Sequence, residues 1–371
     1  MKRSIVICLV VGFIFGTDAF ASRARNMVTG TGDAGLILGT SGGIGSFYED
    51  DAYNMFYNPA YVNDYTNWAT IEKSNFSSTN AGTTAMGGFA TSMGMFNVSL
   101  YMNRLDELNA REGKRLVMEP LDVTLGTKWN NISWGLGFQW ANHTYRDTAV
   151  QATGDKEKHT AQLFNLKLGA QAYNFEPFIH WQIKGKYQDT ALVNYTEKKV
   201  TAGLKYHWGE WTPYLVYQSA KDEFDAYHGP TSTTTYAQDK TTWGLGLGRH
   251  HDMSNKVSMG YSVGYFAQSN KSIEPTIRSN REVVPVEFSA SAKALDWMTV
   301  RAGVGYHLID TNDTDNTTGR VGATFNWNKV SVDWVVGANT NGGTETATDA
   351  DGQTFSFSDG LFTAASATYA W

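Results

Sequence analysis

The feature that most constrains the fold is an alternation of apolar and polar residues, which runs from about residue 66 to the end of the chain. In Ile132–Trp140, isoleucine, leucine, phenylalanine and two tryptophans alternate with serine, glycines and a glutamine. Because successive side chains of a β-strand point to opposite faces, this period of two indicates strands with one apolar face. The same pattern recurs along the rest of the chain, so we expect an all-β fold.

The length of the alternating segments favours a membrane barrel over a large soluble sandwich or propeller. The segments are about 10 to 13 residues long, and about 9 to 11 residues of tilted strand cross a bilayer. Short turns, such as those near Asn130-Asn131 and Gly209-Glu210, alternate with long polar loops. Barrels of the outer membrane have short periplasmic turns and longer extracellular loops. The predicted outer loops are 104–118, 145–159, 186–197, 220–239, 268–282, 309–318 and 339–359.

These segments predict a transmembrane antiparallel β-barrel of about 16 strands over residues 66–371. The first two strands, near Thr66–Ser74 and Gly82–Thr91, have the weakest alternation. Fourteen strands remain if that hairpin lies outside the wall. Aromatic residues gather beside the short turns and predict a girdle at the periplasmic lipid–water boundary.

Residues 1–21 have the composition of a secretory signal peptide. Lys2 and Arg3 precede an apolar run, Ile5–Gly16, and Ala19-Phe20-Ala21 forms a cleavage site. An N-terminal structural helix is the alternative. We therefore expect the mature chain to reach the bacterial outer membrane, with residues 22–65 as an N-terminal periplasmic or plug segment.

Composition excludes several classes of site and partner. The formal net charge is −6 and no basic stripe is present, so nucleic acid is not an expected partner. The single cysteine, Cys8, lies in the signal peptide, which excludes disulfides and thiolate nucleophiles from the mature chain.

Sequence motifs of enzymes are weak. H-E-x-x-H does not occur, and G-x-S-x-G occurs at 39–43, in a glycine-rich stretch, and at 260–264, inside an alternating segment rather than at a strand-to-helix turn. We therefore expect no enzyme activity, no cofactor and no metal site. His250-His251-Asp252 at a short turn and the loop carboxylates Asp310, Asp313 and Asp315 are interpreted as solvated polar residues rather than as sites.

The C-terminal residues Leu361, Tyr369 and Trp371 share one face of an alternating segment that ends in an aromatic residue. This end is similar to the terminal strand that bacterial outer-membrane barrels present to their assembly machinery. The resemblance implies that Tyr369 and Trp371 form an assembly signal. The expected partners are the barrel-assembly machinery, outer-membrane lipid and lipopolysaccharide. Association with further copies of the chain is left open.

The N-terminal segment contains Asp50-Asp51-Ala52 followed by Asn58-Pro59-Ala60. This arrangement resembles the N-terminal segment of the long-chain fatty-acid transporter (FadL) superfamily, in which an Asn-Pro-Ala motif precedes the first barrel strand. The resemblance implies that the segment folds into the lumen as a hatch and that the barrel transports hydrophobic compounds. A periplasmic tail with a turn at Asn-Pro is the alternative.

If the apolar faces meet lipid, the opposite faces line the lumen. They carry glycine, serine, threonine, asparagine and glutamine together with charges of both signs, which suits a water-filled pore. We therefore predict passive diffusion of small hydrophilic solutes with a weak anion preference. The alternatives are a FadL-like transporter and a structural or surface-recognition barrel without an open pore. The pore-lining candidates are Lys128, Lys167, Lys184, Lys205, Glu287, Lys293, Arg301, Arg320 and Asp333.

Overall fold

The computed structural model describes most of the predicted barrel and part of the segment that precedes it. The described residues are 22–30, 37, 45–76, 85–104, 120–146, 158–189, 193–227, 233–272, 278–311, 317–340 and 361–371. The predicted signal peptide, residues 1–21, lies outside them, as do Asp313, Asp315 and most of the loops 104–118 and 339–359.

Sixteen strands form one closed barrel in which every neighbouring pair is antiparallel. The predicted fold and the count of 16 strands are confirmed, because the first strand pairs with both the second and the last. The strands are β1 Trp68–Phe76, β2 Ala85–Met93, β3 Phe96–Met102, β4 Leu121–Trp129, β5 Ile132–Arg146, β6 Lys158–Ala172, β7 Phe175–Asp189, β8 Val193–Tyr206, β9 Trp211–Tyr227, β10 Thr233–Ser254, β11 Val257–Ser272, β12 Arg278–Leu295, β13 Met298–Asp310, β14 Thr317–Trp327, β15 Val330–Thr340 and β16 Leu361–Ala370.

One end of the barrel is closed by short turns. Asn130 and Asn131 join β4 to β5 with φ values of 47° and 62°, and Gly209 has a φ of 62° in the turn between β8 and β9. Positive φ at the central residues matches the twist of a tight hairpin, and asparagine and glycine adopt it most readily. The short turns therefore lie where the sequence predicts them.

The outer surface of the barrel is an apolar band. Trp134 and Trp140 on β5 are 49% and 53% exposed, although large aromatic side chains are buried in most soluble proteins. Beside the short turns, Trp297, Phe325 and Trp327 form a stack with ring centroids 6.1 Å and 5.9 Å apart. An apolar belt bordered by aromatic residues faces lipid in barrels that cross a membrane.

Three of the predicted loops are shorter than the sequence suggests. Strands β9 and β10 occupy most of 220–239, and β10 alone has 22 residues. The strands also extend into 186–197 and 268–282. Hydrogen bonds between strands join backbone N–H and C=O groups and do not depend on the polarity of the side chains. Polar residues can therefore continue a hairpin beyond the apolar band. Gly229 lies outside the described residues.

Within the described residues, three short helices precede the barrel strands: α1 Arg23–Thr29, and the 3₁₀ helices η1 Ala52–Phe56 and η2 Pro59–Asn63. A polar side chain caps each one: Ser22 Oγ accepts from Arg25 N at 3.1 Å, Asp51 from Tyr53 N at 2.8 Å and Asn58 from Ala60 N at 3.2 Å. Among the described residues, no helix is long and apolar enough to cross a membrane.

Candidate functional site

The described parts of the N-terminal segment pack inside the barrel. Helix α1 contacts β12 to β16, and η2 contacts β3 to β6. Arg320 Nη1 on β14 donates to the Met27 carbonyl at 3.0 Å, and Tyr48 donates to Glu287 Oε2 on β12 at 3.1 Å. The interior of the barrel, with this segment in it, is the candidate functional site.

The Asn58-Pro59-Ala60 motif lies on a row of three glycines. Gly126, Gly135 and Gly169 are direct cross-strand neighbours on β4, β5 and β6. A Cβ at Gly135 would lie 2.1 Å from the Pro59 carbonyl carbon, and one at Gly169 would lie 1.9 Å from Asn58 Oδ1. The bare backbone of these strands therefore makes the space that η2 occupies.

Hydrogen bonds fix the same helix to the wall. Asn58 Nδ2 donates to the Ala170 carbonyl at 3.2 Å, and Asn63 Nδ2 donates to the Trp134 carbonyl at 3.0 Å. Both amides thus bind backbone carbonyls that face the interior, which satisfies groups that burial would otherwise leave without partners.

A buried charge cluster joins β7 and β8 to the N-terminal segment. Lys205 is fully buried, and its Nζ lies 3.0 Å from Glu176 Oε2. The same ammonium donates to Tyr61 at 2.8 Å and to Tyr57 at 3.1 Å. Burial raises the pKa of both tyrosines, so the phenols stay neutral and act as hydrogen-bonding partners.

The same cluster contains a group of potential metal ligands. Ligand atoms of Asp50, Glu176 and His207 lie within 4.8 Å of one another. His207 Nε2 is 2.7 Å from Glu176 Oε1, and Lys205 Nζ is 3.6 Å from Asp50 Oδ1. Because the lysine already supplies the positive charge beside these carboxylates, we interpret the group as an ion-pair network.

Three more of the predicted interior cations are also paired. Lys167 donates to the Phe56 carbonyl at 2.9 Å and lies 3.5 Å from Asp122. Arg320 Nη2 lies 3.1 Å from Glu287 Oε1. Lys128 pairs with Asp64 at 2.8 Å near the turn end. The positive charges of the predicted pore-lining lysines and arginines are therefore largely neutralised.

The prediction that Lys184 lines the pore is wrong, because its side chain faces outward. The register of β7 against β8 shifts between Gln182 and Gly185, which marks a β-bulge. Lys184 is consequently the direct neighbour of Phe164, on the lipid-facing side of β6, and it is exposed. A bulge inserts one extra residue and so reverses the faces of the residues beside it, which strict alternation does not anticipate.

The interior also contains an aromatic cluster that the sequence analysis does not predict. Phe178, Tyr214 and Phe266 point inward from β7, β9 and β11 and are almost fully buried. The Phe47 ring of the N-terminal segment lies 4.8 Å from Tyr214 and 6.3 Å from Phe178. The available signal was Phe178 itself, a large apolar residue on the otherwise polar face of β7 that carries Glu176 and His180.

A cleft of about 460 Å³ separates the N-terminal segment from the turn ends of β10 to β13. Arg301, Lys293 and four hydroxyl residues line it from the barrel, and Arg25, Glu49 and Asp50 line it from the segment; the hydroxyl residues are Ser254, Ser258, Ser291 and Thr299. The cleft opens among the residues of the short turns, including Asn255 and Lys256.

Arg301 is the least neutralised of the predicted cations in this region. Its guanidinium donates to Thr324 Oγ1, while its Nη1 is 3.9 Å from the Asp333 carboxylate. Asp333 itself accepts from Thr324 and is buried. A guanidinium has five N–H donors, so Arg301 retains donors that can face the cleft.

On the segment side of the cleft, Arg25 Nη2 lies 2.7 Å from Asp51 Oδ2. Burial raises the pKa of Asp51 in spite of this pairing. His250, expected to be solvated, has its Nδ1 3.0 Å from Glu49 Oε1. The contact between Glu49 and His250 joins the segment to β10 at the cleft.

The predicted assembly signal lies away from the interior. Tyr369 and Trp371 are 46% and 49% exposed, with ring centroids 6.2 Å apart on the outer face. Trp371 N donates to the Asn67 carbonyl at 3.0 Å, which places the chain end beside the start of β1. The prediction that Asp310 is solvated is wrong, because its side chain is 3% exposed and pairs with Arg281 Nη2 at 2.5 Å.

Comparison of the sequence with known families and with curated proteins finds no match. The structure is similar to CymD, a monoaromatic hydrocarbon channel, with 11% identity over 95% of this chain and 99% of that chain, and a TM-score of 0.43. It is similar to the deltaS2 mutant of TodX, another monoaromatic hydrocarbon channel, with 8% identity, coverage of 86% and 94%, and a TM-score of 0.40.

A third similarity is to BauA, the ferric preacinetobactin receptor of Acinetobacter baumannii. It has 10% identity over 74% of this chain and 54% of that chain, with a TM-score of 0.44. Likenesses at this level of identity concern architecture alone.

Proposed function

We propose that this chain is a channel of the bacterial outer membrane for passive diffusion of small hydrophilic solutes, and that it is not an enzyme. The observation that carries the proposal is the polar cleft of about 460 Å³ between the N-terminal segment and β10 to β13. In this proposal the segment is a plug that narrows the lumen and leaves the cleft as the passage on the periplasmic side.

The side chains that line the cleft support a water-filled passage for polar solutes. Its lining combines serine and threonine hydroxyls with Arg301, Lys293 and Asp252, and these groups replace water for a polar solute at little cost. Elsewhere the segment is tightly packed against the wall, at the glycine row around Gly135 and at the Lys205 cluster. A solute would therefore meet the least resistance along β10 to β13.

Single-channel recording of the purified, folded chain in a planar bilayer tests the proposal. We expect stable conductance steps, and swelling of liposomes that contain the chain when they are diluted into small sugars. A matched variant, Ser291→Trp, puts a bulky ring into the cleft and should lower the conductance. Absence of conductance in the wild-type chain would favour the structural barrel without an open pore.

A FadL-like transporter of hydrophobic compounds is the second candidate. The observation that favours it is the aromatic cluster around Phe178, Tyr214 and Phe266 inside the barrel. Apolar ligands bind in cavities lined by aromatic side chains with few polar groups. Here the cluster is filled by Phe47 and Tyr57 of the N-terminal segment, so a hydrophobic ligand would first have to displace them.

Uptake measurements separate the two candidates. Cells that express the chain are given a labelled long-chain fatty acid or a monoaromatic hydrocarbon, and uptake is compared with cells that carry an empty vector. The diffusion channel predicts equal uptake in the two strains together with faster entry of small sugars. Faster fatty-acid entry, lost when Phe178 is replaced by glutamine, would favour the transporter.

A further inference from the structure

Three lysines form a row on the outside of the barrel. Lys198 on β8 is the direct cross-strand partner of Lys221 on β9. On the other side of Lys198, the bulge in β7 places Lys184 opposite it, because pairing passes from Gln182–Lys199 to Gly185–Glu197. All three lysine side chains are exposed. We call Lys184, Lys198 and Lys221 the lysine row.

The row lies at the upper edge of the apolar band. A tilted strand crosses the hydrocarbon core in about 9 to 11 residues. The short turns of these strands are bordered by the aromatic residues Phe175, Tyr206 and Trp211. Counted from these residues, a span of that length ends at the lysine row on all three strands. Just below the row, Trp181 and Tyr217 are 53% and 48% exposed, as aromatic residues at a lipid–water boundary are.

Two of the three charges of the row have no carboxylate partner among the described residues. Lys221 has Glu223 at 3.2 Å and Asp239 opposite it on β10. Among the described residues, no carboxylate lies within ion-pair distance of Lys184 or Lys198, since Glu197 points to the interior and is buried. Like charges directly opposite each other destabilise a sheet. A ligand with negative charge would relieve that repulsion.

We propose that the lysine row binds the phosphate groups of a lipid in the outer leaflet, namely the phosphorylated sugar headgroup of lipopolysaccharide. An ammonium group binds phosphate as a strong point charge, and basic side chains at a membrane surface attract anionic headgroups. The acyl chains of such a lipid would lie on the apolar band below, against Ile183 and Val200. The inference rests on the proposed outer-membrane location but does not depend on transport.

Native mass spectrometry of the full, detergent-folded chain tests the site. The probes are bisphosphorylated lipid A, lipid A without phosphates, and phosphatidylglycerol. We expect bisphosphorylated lipid A to remain bound, with retention at least five-fold lower in K184Q/K198Q. The control K73Q/K329Q removes the same charge from β1 and from the turn before β15, and should bind like the wild type.

Each outcome decides the proposal. Equal retention of bisphosphorylated lipid A by K184Q/K198Q and the wild type would overturn it. So would equal binding of lipid A without phosphates, or stronger binding of phosphatidylglycerol, which would assign the row to a different lipid. A lysine-dependent dimer without bound lipid would assign the row to an acidic surface of a second copy.

Folding is checked by the heat-dependent shift in electrophoretic mobility that intact barrels show. If the double variant does not fold, K198Q alone is used, and its retention of lipid A should fall at least two-fold. Channel conductance is recorded on the same preparations. A chain without conductance that still binds lipid A through the row would contradict the proposed function and leave this inference standing.

Discussion

The carbonyl carbon of Pro59 lies so close to Gly135 that a Cβ on the glycine would approach it to 2.1 Å. The contact joins a motif at the start of the chain to the fifth strand of the barrel. The neighbours Gly126 and Gly169 continue the same bare strip of backbone across β4 and β6. The glycines therefore leave room for the N-terminal segment to pack directly against the backbone of the wall.

Gly135→Val should displace η2 from the wall. Overpacking of a close contact costs about 1 to 3 kcal/mol, because the backbone or the helix must shift. We expect the N-terminal segment of the folded barrel to be cut faster by a protease than in the wild type. Gly319→Val is the matched control, since nothing lies within 4 Å of a Cβ there. Equal digestion rates for the two variants would show that η2 does not rest on Gly135.

Lys205→Met should loosen the same segment through its charge. Removing one partner of a buried ion pair leaves the Glu176 carboxylate without its lysine, which costs about 3 to 5 kcal/mol. The temperature at which the barrel loses its folded mobility should fall, and Glu176→Gln in the same chain should restore part of it. Lys128→Met removes an exposed pair with Asp64 and should cost less than about 1 kcal/mol. A smaller loss for Lys205 than for Lys128 would contradict the interpretation.

Ion selectivity should depend on Arg301 more than on Arg320. Arg301 Nη1 is 3.9 Å from its nearest carboxylate oxygen, whereas Arg320 Nη2 is 3.1 Å from Glu287. A cation without a close partner raises the local anion concentration more than a paired one. In a salt gradient, Arg301→Gln should lower the anion-to-cation permeability ratio about two-fold, and Arg320→Gln should lower it less. Cation preference in the wild type would refute the predicted anion preference.

The orientation of the barrel can be tested with inserted tags. The turn at Gly209 belongs to the short-turn end, and the hairpin between Tyr227 and Thr233 belongs to the other end. We expect an antibody added to intact cells to label a tag in the hairpin between Tyr227 and Thr233. A tag at Gly209 should stay unlabelled, because the outer membrane keeps the antibody out of the periplasm. Labelling at Gly209 alone would reverse the topology.

Deletion of Trp371 should impair assembly. Its side chain is half exposed beside Tyr369, and its backbone N donates to Asn67 at the seam between β16 and β1. Loss of the residue removes both the aromatic end and a hydrogen bond at the closing seam. We expect less heat-modifiable barrel in the outer membrane and more degraded chain in the periplasm. Trp327→Ala, which removes an aromatic residue at another turn, is the control.

The class of fold and the lipid-facing side of most strands follow from local patterns in the sequence. A run such as Ile132–Trp140 carries this information locally, because the period of two in a strand depends on nothing beyond the segment. The turn residues Asn130 and Asn131 are equally local, since their positive φ follows from their own side chains and the twist of the hairpin. The strand count and the ends of the short turns could be predicted for this reason.

Which residues meet across strands and inside the barrel depends instead on strand register and on packing between distant parts of the chain. The bulge at Ile183 moved Lys184 from the interior to the outer row, and register alone aligned Gly126, Gly135 and Gly169 beneath Pro59. Pairing between strands, and between the wall and the segment inside it, joins residues far apart in the chain. A one-residue shift in register changes every such neighbour while leaving the local alternation unchanged.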